Sequence, residues 1–206
     1  MSDAAVPRSL ASQLDALSAG IARLPIGDRA TLRRMTPETP ARAMPVLVPL
    51  LLGAGADGSG GLGPDQLRRW ARIVHAMAIL SGTSGEPPHK RRMDADDTWH
   101  AARDPGRALA LAFGFEPGKP RGQTRMLRLT SSRGDALNAQ LPRIMRILAA
   151  GGGGPIDFSP IARLMLNDGR DDRRADEARL DLARGFFAST AVESDPIDAT
   201  EKADAS

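Results

Sequence analysis

Apolar residues in this chain recur every three or four positions, seldom every second one. In SLASQLDALSAGIARL, residues 9–24, Leu10, Leu14, Leu17 and Ile21 share one face, which predicts an amphipathic helix. The stretch Leu24-Pro25-Ile26-Gly27-Asp28 breaks that pattern, and Asp28 is placed to cap a short basic helix, RATLRRM. TPETP, 36–40, offers Thr36 or Thr39 as an N-cap with a proline at the first helical position. The apolar helix that follows is expected to run to about Leu52. The clearest periodicity is in PDQLRRWARIVHAMAILSG, 64–82, where Leu67, Trp70, Ala71, Val74, Met77 and Ala78 share a face. Gly82 follows as a stop residue. GRALALAF predicts a short buried helix, 122–132 and 135–149 two more, and DFSPIARLMLND another. DDRRADEARLDLARGFFAST, 171–190, is the last, with mixed charges on its wet face. No strand pattern and no internal repeat survive this reading. The expected class is all-α, with about eight helices forming two small packed bundles.

Between these elements lie glycine-rich and polar stretches. GAGADGSGGLGP, 53–64, reads as a flexible loop, 82–104 as a long polar loop, and GGGGP, 151–155, as a linker. The expected organisation is an N-terminal helical bundle with a basic face over 1–150. Helices completing a second bundle follow over 151–190, and then a disordered acidic tail, 191–206. No apolar run is long enough to span a membrane and no signal-peptide pattern is visible, so a soluble cytoplasmic protein is expected.

Composition narrows the chemistry. Hydrophobic residues make up 41 % but aromatics only 3 %, with no Tyr, so the core is built from Leu, Ala, Ile, Val and Met. That mix favours helices over strands. The absence of Cys excludes disulfides, thiolate zinc sites and cysteine nucleophiles. GAGADG matches G-x-G-x-x-G through Gly53, Gly55 and Gly58. A nucleotide-binding turn would need the preceding VLVPLLL as a central strand, and Pro49 in its middle cannot donate to a ladder. A plain loop is the reading. His75 is expected at the rim of the 64–81 helix, with His89 and His100 in the long loop; no pair has metal-ligand spacing. Asp94, Asp96 and Asp97 lack the EF-hand spacing and its closing Glu. No metal, cofactor or catalytic constellation is expected.

Charge changes the picture. The net charge of +3 hides an acidic end: the last fourteen residues hold five acids and one Lys, leaving the remainder near +7. Lys occurs only at 90, 119 and 202, so 25 of the 28 basic residues are Arg. Arginine presents a planar fork of donors that matches phosphate oxygens. Arg121, Arg125 and Arg128 fall on one helix face, opposite Met126, Leu129 and Thr130. Arg143 and Arg146 project away from the stripe of Leu137, Leu141, Ile144 and Leu148, and Arg133 sits in the connecting turn. From 117 to 150 there are seven basic residues and one acid, Asp135. Arg68, Arg69 and Arg72 repeat the pattern on the 64–81 helix, and Arg33 and Arg34 on the early one. A positive face without interleaved acids is the footprint of a polyanion binder, and with so few aromatics its contacts should be to phosphates.

An ordered series of motifs carries a resemblance. ATLRRMTPE, RWARIVHAMAILSG, GRALA, TRMLRLTSSRGDALNAQLPRIMRIL and IDFSPIARLMLNDGR together resemble the CasB family, the small subunit of the type I-E CRISPR surveillance complex Cascade. They span roughly residues 10–190. The resemblance implies two small helical bundles and no catalytic activity. It also implies partners: the other Cascade subunits, a second copy packed head to tail, the guide crRNA and the target DNA. The basic face is implied to hold the displaced strand and stabilise the R-loop. By motif, the implied contacts are Arg34, Arg68, Arg69, Arg133, Arg143 and Arg170; Arg121, Arg125, Arg128 and Arg146 join them from the charge pattern. Pro142, the long loops at 53–63 and 82–104, the EPGKPRG insert and the acidic tail depart from the family pattern. Pro142 is expected to kink its helix or to set its start near Ala139. The rival reading is a free-standing helical DNA-binding transcriptional regulator, with RGDALNAQLPRIMRIL as recognition helix.

Overall fold

A computed structural model of the chain describes residues 8–57, 61–82, 84–90, 104–116, 120–151 and 155–188. Among them lie nine α-helices and one 3₁₀ turn, with no strand beyond a single bridge, so the fold is all-α. In chain order these are α1 (Leu10–Arg23), α2 (Ile26–Arg34), the 3₁₀ turn (Ala41–Ala43), α3 (Met44–Ala54) and α4 (Pro64–Ser81). They continue with α5 (Pro105–Ala112), α6 (Pro120–Ser131), α7 (Gly134–Ala150), α8 (Ser159–Asn167) and α9 (Asp172–Ala188).

The expected helices are present, but several of their ends differ. In α1 the Ser9 hydroxyl accepts from Ser12 N–H as a side-chain cap. Neither Thr36 nor Thr39 caps α3. The chain instead turns through Ala41–Ala43, and Pro45 opens the α-helix, where its missing N–H leaves no bond unmade. Asp28 does not cap α2 but lies inside its first turn, where its charge still complements the helix dipole. Pro142 neither starts nor interrupts α7, which runs through it from Gly134 to Ala150. Pro142 is half-buried and borders an open cleft with Asn138 and Ala139. GAGADG is the end of α3: Gly55 takes the left-handed conformation, φ 69°, and returns its N–H to the helix's last turn, while Gly58 lies outside the described residues.

The core is organised on α4. Its first turns bury one face, as the periodicity predicts, but from Ile73 to Ser81 every residue is buried. A helix covered on all sides is the middle of a bundle. It packs most extensively on α7, then on α2, α8 and α1. α1 lies on α3, and α9 covers α8 and α5. The buried side chains form one contiguous cluster that crosses the glycine run at 151, because α9, after the run, lies on α5, before it.

Burial of two histidines corrects the sequence reading. His75 is not at a rim; it is enclosed between α4 and α2, and its Nδ1 meets the Leu32 carbonyl at 2.8 Å. His89 is not in a solvated loop. Residues 84–90 fold back, and His89 is buried with its backbone N–H and C=O both bonded to the Ser18 hydroxyl of α1. Its ring Nδ1 accepts from Phe158 N–H, which ties this segment to the approach to α8. Burying His89 is possible because its polar groups find these partners. His100, Asp94, Asp96, Asp97 and the acidic tail lie outside the described residues.

Candidate nucleic-acid interface

Helix α6 sets out the first group. Gly122, Met126 and Leu129 are buried, and Arg121, Arg125 and Arg128 are exposed along the other side. The helix, PRGQTRMLRLTS, contains no acid. Arg125 is steadied by the Phe113 ring, with its guanidinium carbon 5.9 Å from the ring centroid. Helix α7 buries Leu137, Leu141, Ile144, Met145 and Leu148 and leaves Arg143 and Arg146 in solvent. The amphipathic split read from the sequence is thus the split seen in space. Arg146 lies close enough to His75 to help lower that imidazole's pKa, behind the larger effect of burial and against the Leu32 carbonyl, which raises it.

Elsewhere the arginines differ in how free they are. Arg34 is exposed at the end of α2, beside Arg42 and three threonines in a shallow cleft of about 590 Å³. Arg68 is exposed and donates to the Pro64 carbonyl one turn earlier in α4. Arg69 is drawn inward. Its side chain is 13 % exposed; Nε donates to Asp65 and Nη1 to the carbonyls of Met165, Leu166 and Asp168. It therefore closes the C-terminal end of α8, where carbonyls lack intrahelical partners and a positive charge is favourable. The same guanidinium holds the Asp65 carboxyl below its ordinary pKa, first through the hydrogen bond and then through charge. Arg170 is exposed in the α8–α9 turn. It lines an open groove of about 700 Å³ with Arg69, Arg163 and Arg174, tempered by Asp171 and Glu177.

Arg133, half-exposed in the α6–α7 turn, donates to the Thr130 and Ser132 carbonyls and to Asp176 Oδ1 at 2.9 Å. Beneath it is an ion pair that sequence reasoning missed. Arg179 of α9, 5 % exposed, donates to Asp168, to Asp176 and to the Ser132 carbonyl. The second oxygen of Asp168 accepts Gly134 N–H at 2.7 Å, so a carboxylate from the α8–α9 turn sits at the N-terminus of α7. Helix α7 has no side-chain cap of its own, and this contact supplies one. Breaking such a buried pair by removing one partner costs roughly 3–5 kcal/mol. Its signal was present in the sequence: Ala175, Ala178, Leu182 and Phe186 form the apolar stripe of α9, and Arg179 stands in register with them. Around Asp168 the fold brings together Arg69, Arg133 and Arg170, which lie far apart in the chain; Arg34 lies at the other cleft, beside Arg42.

Among the described residues no cluster of His, Asp and Glu converges as metal ligands would, and no helix is long and apolar enough to cross a membrane. The family model for CRISPR-associated protein Cse2 matches residues 28–187, from inside α2 to the penultimate residue of α9. The chain belongs to the Cse2 family. This is the CasB small-subunit family that the motifs resemble, and it makes the chain a structural subunit of the type I-E Cascade complex, working among the other Cascade subunits. The Cse2 match covers α3 to α8, all but the last residue of α9, and the ten arginines named as implied contacts. It favours Cascade membership over a free-standing regulator. A search of the curated proteins and a search of the solved structures each found no match.

Proposed function

We propose that this subunit is a non-catalytic polyanion-binding element of Cascade, which holds the displaced DNA strand along its arginine faces and so stabilises the R-loop. The observation that carries the reading is the acid-free exposed row Arg121, Arg125 and Arg128 on α6, together with exposed Arg143 and Arg146 on α7. Ordinary solvated helix faces mix signs, as α9 does with its Arg173–Glu177 pair and with Arg174 paired to Asp171 just before the helix. A one-signed face attracts a polyanion and gains from counterion release at each phosphate it neutralises. Strand exchange between DNA duplex and guide heteroduplex is nearly balanced, so modest backbone contacts on the displaced strand are enough to tip it. Arg34, Arg68, Arg133 and Arg170 extend the contact surface. The crRNA and a second copy of the subunit are the neighbours this role requires.

The test is made in the assembled complex. Arg128→Glu with Arg143→Glu reverses two exposed charges without touching the core. The expected result is a shorter R-loop lifetime on a matched target, with the variant subunit's own helical spectrum and melting unchanged. An R-loop held as long as with the unaltered subunit would overturn the proposal.

A further inference from the structure

We infer that Arg179 is a positioning residue for Arg133, fixing from beneath the turn on which that arginine meets nucleic acid. The inference rests on the polyanion-binding reading above and extends it to a buried group. All three acceptors of Arg179 belong to or touch residues 132–134. The Ser132 carbonyl, 3.2 Å from Arg179 Nη2, also accepts from Arg133 at 3.1 Å. Asp176 Oδ1, 3.0 Å from Arg179 Nη1, also accepts from Arg133 at 2.9 Å. Asp168, bonded to Arg179 through one oxygen, holds Gly134 N–H through the other. One enclosed guanidinium thus reaches Ser132 directly, Arg133 through Asp176 and Gly134 through Asp168.

The fold alone does not call for a charge here. The position lies on the apolar stripe of α9, and a buried ion pair is often no more stable than packed apolar side chains of the same volume. What an arginine adds is geometry: a rigid planar fork spreads its donors over separate nitrogens to reach three acceptors at fixed angles, whereas a lysine ammonium offers its three donors from a single rotating point. Arg133 is half-exposed, and a free arginine would lose much rotamer freedom on meeting a phosphate. Held by Asp176 and two carbonyls, it loses less, which raises affinity without adding a contact.

The test uses the full chain and labelled random-sequence single-stranded DNA in a salt series. Arg133→Ala should weaken binding and flatten its salt dependence by about one phosphate's worth. Arg179→Lys keeps the net charge, yet should weaken binding by roughly two- to five-fold, the scale of one exposed charge contact. That loss should vanish when Arg133 is already alanine. A folded Arg179→Lys with unchanged affinity, or with the same loss in the Arg133→Ala background, overturns the inference. Where Arg179→Lys fails to melt cooperatively, Asp176→Asn takes its place. Positioning predicts weaker binding although a negative charge has been removed, and only while Arg133 is present; stronger binding in both backgrounds is plain electrostatics and overturns it. A silent Arg133→Ala is a different failure: it removes Arg133 from the proposed interface, and the positioning role falls with it.

Discussion

At His75 one ring joins α4 to the end of α2. A carbonyl can only accept, so Nδ1 carries the hydrogen that meets Leu32 O, as it can in either charge state of the ring. Burial lowers its pKa, Arg146 lowers it further, and the Leu32 carbonyl and Glu38 oppose them. The unfolded chain therefore binds this proton more readily than the folded one. The stability it contributes is complete above the ordinary imidazole pKa of about 6.5 and declines as pH falls below it, by at most about 1.4 kcal/mol per pH unit. Urea denaturation at about pH 7.5 and about pH 5.5 should show a larger loss for the natural chain than for His75→Gln, whose amide can still donate to Leu32. Equal losses would place the acid sensitivity elsewhere. The sequence showed a histidine near an apolar stripe; it could not show that α2 closes over it.

At the scale of elements, α5 and α9 approach so closely that glycine stands at the contact on both helices. A Cβ on Gly106 would lie 2.3 Å from the Leu182 carbonyl oxygen and 2.5 Å from Phe186 N, and Gly185 faces Asp104 in the same way. Those neighbours are backbone, or a carboxylate that caps α5, so neither can step aside cheaply. Gly106→Ala should destabilise the chain by about 1–3 kcal/mol or more, the usual penalty of overpacking. Gly27→Ala in α2, with nothing near its Cβ, should be neutral or stabilising by about 0.5–1 kcal/mol. Thermal melts of the two variants separate close approach from ordinary helix propensity. GRALALAF announced a short buried helix, but its glycine gave no sign of the helix it would press against. In the same way the basic row of α6 was legible from spacing alone, while the inward turn of Arg69 was not, because its acceptors lie almost a hundred residues further on.

For the molecule as a whole, what counts is the distribution of charge. The described helices carry the basic faces, and the acidic end of the chain makes the overall balance only +3. Binding to random single-stranded DNA should be weak, blind to sequence, and lost steeply with salt, with a slope of about 0.7 per phosphate neutralised. Replacing Arg128 by Gln should lower that slope by about one contact while leaving the probe uncut, as a gel-shift salt series would show. Tight binding to one selected duplex that survives moderate salt would point instead to base readout, and against the proposed role.

The sequence by itself determined the helical class, nearly every helix, and the inward faces of α1, α6, α7 and the first turns of α4. Those properties follow from a 3.6-residue period that acts within one turn of the chain. It also carried the family, because an ordered set of local motifs survives without knowledge of their contacts. Tertiary structure decided the rest. It enclosed His75 and His89, turned Arg69 into the cap of a distant helix, and made Asp168 the N-terminal partner of α7. It also set Arg179 among apolar neighbours with two acids to meet it. Each of these depends on which groups converge from remote parts of the chain, since an arginine's role is fixed by the acceptor it finds, and local periodicity says nothing about that acceptor.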